Sequence, residues 1–282
     1  MKDSDYSSRP RIKWLFVSIP MPIFILALTF ISGNATAKMG TADGGTINAV
    51  LVRSWNNCNS TSTIWESLNN NWPNYGTTPI YIDYTNNDLC GGTITYNNLV
   101  ASGADVVILS DPAGGGEQYT PTEIADLETY AQEGHNFIGT FLLLQFDPTD
   151  TDNRELAPIF GLEASGNYTS TTTPLTPTYN FLEPNFPIFN NMGASYTSGG
   201  YPFYQIPTND GTWDNNDLAG ARYIAKTADD AAVITVYDTP TYSAIFIANM
   251  PEYQSGAIDE RFIYNAITYQ AKWKVILPII LN

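Results

Sequence analysis

The fold class is decided by residues 105–145, which read DVVILSDPAGGGEQYTPTEIADLETYAQEGHNFIGTFLLLQ. Its first part, 105–110, is an apolar run typical of a buried parallel strand. The sequence TPTE at 120–123 provides an N-cap, a proline at the first helical position and the glutamate of a capping box, so a helix begins there. Gly134 marks the end of this helix, and 136–144 is predicted to return as a strand. Strand, helix and strand in this order predict a parallel sheet.

The same alternation continues on both sides of this segment. Toward the N-terminus we expect strands at 46–53 and 79–84, a helix at 60–72 and a helical turn at 96–101. Toward the C-terminus we expect a short helix at 153–160, strands at 222–226, 232–237 and 243–248, and a final helix at 259–273. This rhythm predicts an α/β fold with helices on both faces of the sheet.

The N-terminus has the composition of an export signal. Basic residues precede the apolar run 14–31, and Ala35-Thr36-Ala37 follows as a small-x-small cleavage sequence. We therefore expect residues 1–37 to be a signal peptide and residues 38–282 to form a single α/β domain. An uncleaved anchor is the alternative, because the run is at the lower length limit for crossing a bilayer. Either way the remaining chain is expected to be secreted or at the cell surface, with no membrane span of its own.

Charge and residue counts exclude several classes of function. The chain has 12 Lys and Arg against 28 Asp and Glu, a net charge of −16, which repels nucleic acid and anionic lipid. One histidine and two cysteines are too few for a zinc cluster, and no triad signature can be formed from them. In an oxidising compartment Cys58 and Cys90 are predicted to form a disulfide.

Several segments, taken in order, resemble one superfamily. They are 47–53, 105–111, 119–134, 136–145, 245–253 and 259–269. With these segments the chain resembles the class I glutamine amidotransferase-like superfamily, especially its exported and ThuA-like branches. The resemblance implies a flavodoxin-like three-layer sandwich with a mostly parallel sheet, extended by C-terminal strands and a closing helix.

The nucleophile motif of that superfamily is altered in this chain. Active members have Gly-x-Cys-x-Gly-x-Gln after a strand, whereas residues 139–145 read GTFLLLQ. Phe141 stands in place of the cysteine and has no lone pair to attack a carbonyl, so glutaminase activity is not expected. Leu143 stands in place of a turn glycine and predicts a relaxed backbone without an oxyanion hole. The superfamily's His-Glu partners come late in the chain, but His135 precedes the strand and is expected to be a solvated turn residue.

Candidate binding residues lie where the parallel strands are predicted to end, because doubly wound sheets bind ligands at that edge. These residues are Trp55, Asp111, Thr140 and Gln145. Asp111 and Glu117 are also candidates for the acid/base pair of a carboxylate-driven hydrolase. The alternative is that both belong to a flexible loop of capping acids.

Asp147, Asp150 and Asp152 form an acid-rich stretch after the fourth strand. Carboxylates at alternating positions resemble loops that hold calcium, although the order of an EF-hand is absent. The alternative is structural, with Asp152 capping a helix that starts at Asn153 and the other acids favouring its positive end. Calcium is the one cofactor that the sequence suggests.

Aromatic residues are frequent in the loops and suggest a surface for a glycan or a protein partner. They are Trp55, Tyr75, Tyr119, Tyr196, Tyr201, Tyr204 and Trp213. The sequence therefore indicates an exported, non-catalytic module that binds a glycan or a protein, or has a structural role at the cell surface. The alternatives are an exported hydrolase that acts through carboxylates and a self-assembling surface subunit that associates through the apolar tail at 275–281.

Overall fold

Runs of aliphatic side chains form the central strands of a mixed sheet. The computed structural model describes residues 45–53, 64–109, 118–144, 146–147, 151–164, 169–170, 178–197, 204–205, 218–227, 232–253 and 256–273. The strands are β1 (Ile47–Val52), β2 (Ile80–Asp83), β3 (Val106–Leu109), β4 (Asn136–Thr140), β5 (Phe146–Asp147), β6 (Thr151–Asp152), β7 (Thr169–Ser170), β8 (Thr178–Phe181), β9 (Ser195–Thr197), β10 (Tyr204–Gln205), β11 (Ala221–Lys226), β12 (Ala232–Asp238) and β13 (Ser243–Ile247). The α-helices are α1 (Ile64–Asn71), α2 (Asn87–Cys90), α3 (Tyr96–Ser102), α4 (Pro121–Gln132) and α5 (Ala257–Trp273).

The main sheet of the described residues has nine strands in the order β2-β1-β3-β4-β13-β12-β11-β8-β9. The pairs from β2 to β13 are parallel. The pairs from β13 to β9 are antiparallel. The prediction of a mostly parallel sheet thus holds for one half of the sheet, and the C-terminal strands add an antiparallel half.

Helices cover both faces of the parallel half. The chain passes outward from β1 to β2 and then back past β1 to β3, so right-handed crossovers place α1 and α3 on opposite faces. Helix α5 contacts α1 and strands β1 to β4, whereas α3 packs against α4. The fold is therefore mixed α/β.

Helix α4 begins with the predicted capping box. Thr120 Oγ1 accepts a hydrogen bond from the N–H of Glu123 at 3.3 Å, and the Glu123 carboxylate accepts one from the N–H of Thr120 at 2.9 Å. Gly134 follows the helix with a φ of 96°, a left-handed conformation that glycine adopts without a Cβ clash. The predicted boundaries of this helix are confirmed.

Two predictions about the strands are wrong. The fourth strand was expected to continue to residue 144, but β4 ends at Thr140 and the chain enters a 3₁₀ turn, Phe141–Leu144. No strand was expected between the helix at 153–160 and the strand at 222–226, but β8 and β9 pair there and extend the sheet. Their alternating burial, with Tyr179 and Tyr196 inside, is that of strands with one solvated face.

A side chain covers the outer edge of β2. The N–H of Ile47 bonds to the carbonyl of Pro79, so alternation along β2 directs the backbone groups of Ile82 away from β1. The Asn69 side chain accepts a hydrogen bond from the N–H of Ile82 at 2.7 Å and donates one to its carbonyl at 2.9 Å. The Asn69 amide thus occupies the place of a further strand.

Every described residue belongs to one compact unit, Met39–Asn282. Across the described ranges, the helices are too short or too polar to cross a bilayer. The predicted signal peptide at 1–37 and the tail at 275–281 lie outside the described residues. Export and association through the tail therefore stay predictions.

Candidate functional site at the carboxyl edge of the parallel strands

The parallel strands end together at one edge of the sheet. Arg53 follows β1, Thr140 ends β4, and Asn249 comes two residues after β13. The strand order reverses between β1 and β3, since the chain moves to β2 on one side of β1 and to β3 on the other. Ligands of doubly wound sheets bind at such a reversal, which makes this edge the candidate site.

Phe141 forms a sharp turn at this edge. Its φ is 55°, in the left-handed region that bulky residues rarely adopt. Its N–H donates to the carbonyl of Asn249 at 3.1 Å, and its side chain is buried. The prediction of a relaxed backbone, made from Leu143, is therefore wrong, because Phe141 adopts the strained conformation of the turn. A bulky residue held in this region costs about 1–3 kcal/mol, which the packing around it must offset.

Gly139 allows the chain to pack closely just before this turn. A Cβ at this position would lie 2.6 Å from Cζ of Phe160 and 2.9 Å from Cδ2 of Leu143. The backbone of β4 is therefore pressed against a side chain of the 3₁₀ helix Arg154–Phe160. This contact fixes the position of the strand end that leads into Phe141.

A buried carboxylate lies beside Thr140. Glu252 belongs to the 3₁₀ turn Pro251–Tyr253, which follows β13, and its side chain is almost fully buried. Its Oε1 accepts a hydrogen bond from the Thr140 hydroxyl. Sequence reasoning missed Glu252, although it is an acid soon after the last parallel strand, the part of the chain where an acidic partner was sought.

A second buried carboxylate orients Arg53. Glu123 accepts hydrogen bonds from Arg53 Nη2, from the N–H of Ile94 at 3.0 Å and from both the N–H and the hydroxyl of Thr120. The Arg53 guanidinium also lies over the ring of Tyr119, 5.2 Å from its centroid. The sequence identified Glu123 only as a capping residue, because its contact with Arg53 spans 70 positions.

No family model matches the chain, and no curated protein matches it significantly. A protein from Thermoplasma acidophilum assigned as one of the subunits of GMP synthase superposes with a TM-score of 0.51 and 13% identity, over 82% of this chain and 98% of its own. A ThuA-like protein from Bacteroides uniformis superposes with a TM-score of 0.50 and 15% identity, over 83% and 94%. A cytoplasmic protein from Salmonella typhimurium gives 0.53 and 11% identity, over 79% and 98%.

The fold is ThuA-like and amidotransferase-like. At these identities the likeness shows the fold alone, so the chemistry must be argued from the residues of this chain. In this amidotransferase-like fold the sharp turn after β4, called the elbow below, contains Phe141. The turn after β13 contains Glu252.

Most of the residues predicted to bind or react lie outside the described part of this amidotransferase-like fold. Thr140 lies at the candidate edge as predicted, although its hydroxyl is bonded to Glu252. Predictions for the other positions are neither supported nor contradicted; these positions are Trp55, Asp111, Glu117 and Gln145.

The described part of the predicted calcium stretch consists of two short paired strands. Asp147 and Asp152 lie in β5 and β6, which pair antiparallel, whereas Asp150 lies outside the described residues. The alternative role of Asp152 as a helix cap is wrong, because Asn153 holds the capping position of a 3₁₀ helix. The Asn153 side chain instead accepts a hydrogen bond from the N–H of Tyr119 at 2.9 Å. Calcium binding stays a prediction.

Three ring residues differ from expectation. Tyr119 and Tyr196 were expected in exposed loops but are buried, so neither presents a face to a ligand. His135 precedes β4, at the amino edge as predicted. It is not a solvated turn residue, because its ring stacks on Tyr130 with centroids 3.6 Å apart.

The predicted disulfide would lie beside the candidate edge. Strands β1 and β2 are neighbours, and the N–H of Arg53 bonds to the carbonyl of Leu89 at the end of α2. Cys90 is the last residue of α2 and is buried. Its pairing with Cys58 stays a prediction, since Cys58 lies outside the described residues.

A cavity of about 530 Å³ lies away from this edge. Glu128 and Gln132 of α4 line one wall, and Pro158 and Tyr242 line another. Burial and the nearby charge of Glu155 raise the pKa of Glu128. Because Tyr242 directly precedes β13, the cavity is at the amino edge, opposite Thr140 and Arg53.

Proposed function

We propose that the chain is an exported, non-catalytic module with a flavodoxin-like form of the amidotransferase-like fold, which binds a glycan or a protein at the carboxyl edge of its parallel strands. The observation that carries this proposal is Phe141 at the elbow after β4. A phenyl ring supplies neither a nucleophile nor a transferable proton, so Phe141 cannot perform covalent catalysis at this position.

The non-catalytic part of the proposal is tested by restoring a thiol. Phe141→Cys should release no ammonia from glutamine, because the one histidine lies before β4 at the opposite edge of the sheet. Leu143→Cys is the matched control, since it adds a thiol two residues away without a left-handed backbone. Ammonia release by Phe141→Cys alone would show that the elbow needs only its nucleophile, and the proposal would fail.

The binding part is tested with a glycan array probed by the exported protein, with and without calcium. The proposal predicts binding to a defined subset of glycans, or capture of a single protein partner from the same extracellular environment. Binding that requires calcium would assign a role to Asp147, Asp150 and Asp152. An array without signal, together with no partner, would refute a binding role.

Export itself predicts the redox state of the cysteines. Protein recovered from an oxidising compartment should contain no thiol that reacts with an aromatic disulfide reagent under denaturing conditions, because Cys58 and Cys90 are joined. Two reactive thiols in that material would contradict the pairing.

The buried carboxylate favours one alternative, an exported hydrolase. Glu252 accepts the hydrogen bond of the Thr140 hydroxyl at the same edge, and a carboxylate placed in this way could act as a general base. Assays with chromogenic glycosides and esters distinguish the two functions. Turnover that is abolished in Glu252→Gln would favour the hydrolase.

A further inference from the structure

Arg53 is fixed on two sides at the carboxyl end of β1. Its Nη2 donates to Glu123, whose side chain is 1% exposed, and its guanidinium lies over the ring of Tyr119. Its backbone has a φ of 34°, outside the conformations that an arginine prefers. A long side chain held by an ion pair and a ring contact has already lost much of its rotamer freedom, so a ligand that binds it loses less entropy.

The guanidinium keeps hydrogen-bonding capacity. Among the described residues, Glu123 is the one side chain that accepts a hydrogen bond from it, through Nη2, which leaves Nε and Nη1 as donors. The Arg53 side chain is 16% exposed, so solvent or a ligand can reach it.

The carboxylate of Glu123 is stabilised by groups other than Arg53. Three other donors, one N–H of Ile94 and the N–H and hydroxyl of Thr120, share that carboxylate. Glu123 also lies in the first turn of α4, where the helix dipole partly balances a negative charge. An arginine in this situation can bridge two carboxylates, because its planar group carries five donors.

We infer that Arg53 binds a carboxylate group of a small ligand at the reversal point of the sheet, between β1 and β3. This inference rests on the binding function proposed above for the same edge. It adds the chemistry of the ligand, which is a carboxylate carried by a sugar acid or by a non-sugar acid. In a chain with a net charge of −16, a pre-oriented arginine also explains how an anion could be held locally against the general repulsion.

The experiment measures dissociation constants of the full chain by ligand-observed NMR for three probes. Galacturonate supplies a sugar carboxylate, glutarate a non-sugar carboxylate, and galactose the neutral sugar. At least one acid should bind tenfold or more tightly than galactose. Galacturonate binding alone assigns a sugar acid, and glutarate binding alone assigns a non-sugar acid; either result supports the inference.

Variants separate binding from structure. Arg53→Gln should weaken binding of the acid at least tenfold, and Arg53→Lys should restore only part of it, because lysine lacks the planar donor set. Arg222→Gln is the matched control, since Arg222 also pairs with carboxylates and lies 5.1 Å from the ring centroid of Phe186, but on β11. Its affinity for the acid should equal that of the wild type.

A footprint on the unmodified protein covers the case in which Arg53→Gln does not fold. Phenylglyoxal modification of Arg53, followed by mass spectrometry, should be slowed by the bound acid and unaffected by galactose. Equal affinity for galactose and both acids would support the binding function and overturn this inference. An Arg53→Gln protein that melts at a lower temperature but keeps its affinity for the acid would reduce Arg53 to a structural ion pair. If no probe binds or protects Arg53, the inference fails, and the glycan array decides the proposed function separately.

Discussion

Replacing Phe141 with glycine and with alanine measures the backbone strain at the elbow. Both variants lose the same buried ring, which costs about 3–5 kcal/mol of unfolding free energy in a core. They differ in how well the new residue tolerates a φ of 55° and in the conformational freedom of the unfolded chain. At an ordinary position alanine is the more stable choice, because glycine gives the unfolded chain more conformations to lose.

The structure predicts the opposite order at residue 141. The left-handed conformation costs an L-residue about 1–2 kcal/mol and costs glycine almost nothing. The entropy advantage of alanine is about 0.4–1 kcal/mol. The difference leaves Phe141→Gly more stable than Phe141→Ala by about 1 kcal/mol.

Urea unfolding of the two variants at constant slope gives this difference directly from the midpoints. The same pair of substitutions at Leu143, which is buried and has no left-handed backbone, provides the control and should favour alanine. If Phe141→Ala is as stable as Phe141→Gly, the elbow is not strained in solution and the explanation of this turn is wrong.

Two further predictions concern packing and pH. Gly139→Ala should lower the unfolding free energy by about 1–3 kcal/mol, because the new Cβ would lie 2.6 Å from Phe160. Gly91→Ala is the control and should leave the unfolding free energy unchanged, because its Cβ would have no atom nearer than 3.9 Å. Equal melting temperatures of the two variants would contradict the close contact at Gly139. Burial and the hydrogen bond to Glu260 raise the pKa of Tyr75 to about 12, so the folded state holds its proton more firmly and stability falls as pH rises from 10 toward 12. Tyr75→Phe should be about 1 kcal/mol less stable than the wild type at pH 7, because it lacks this hydrogen bond. Chemical unfolding should show that the difference in unfolding free energy narrows above pH 10. A difference that stays constant with pH would contradict the raised pKa of Tyr75.

Elements determined by local sequence were predicted well. The boundaries of α4 follow from Thr120, Pro121 and Glu123, which act within one turn of the helix. The buried strands β1 and β3 are apolar at nearly every position and need no partner to be recognised. The resemblance to an amidotransferase-like fold rests on the order of such segments along the chain.

Features that depend on distant contacts were missed. The short strands β8 and β9 pair with each other, and β8 also pairs with β11, so their stability depends on partners that are distant in sequence. The conformation of Phe141 depends on a carbonyl at Asn249 and on Phe160 beneath Gly139. The contact of Thr140 with Glu252 spans 112 positions, so sequence reasoning could name the edge of the sheet but not the pair within it.

The Asn69 amide on β2 has a consequence for how copies of this chain could join. A sheet grows from copy to copy when a strand finds unpaired N–H and C=O groups, and those of Ile82 are already occupied. Within the described sheet the opposite border is β9, so we expect strand addition at β9 rather than at β2. Two copies that meet through the same border are related by a two-fold axis and leave no border for a third. Pairing of β9 with β9 of a second copy therefore produces a closed dimer, and a filament would require a different surface.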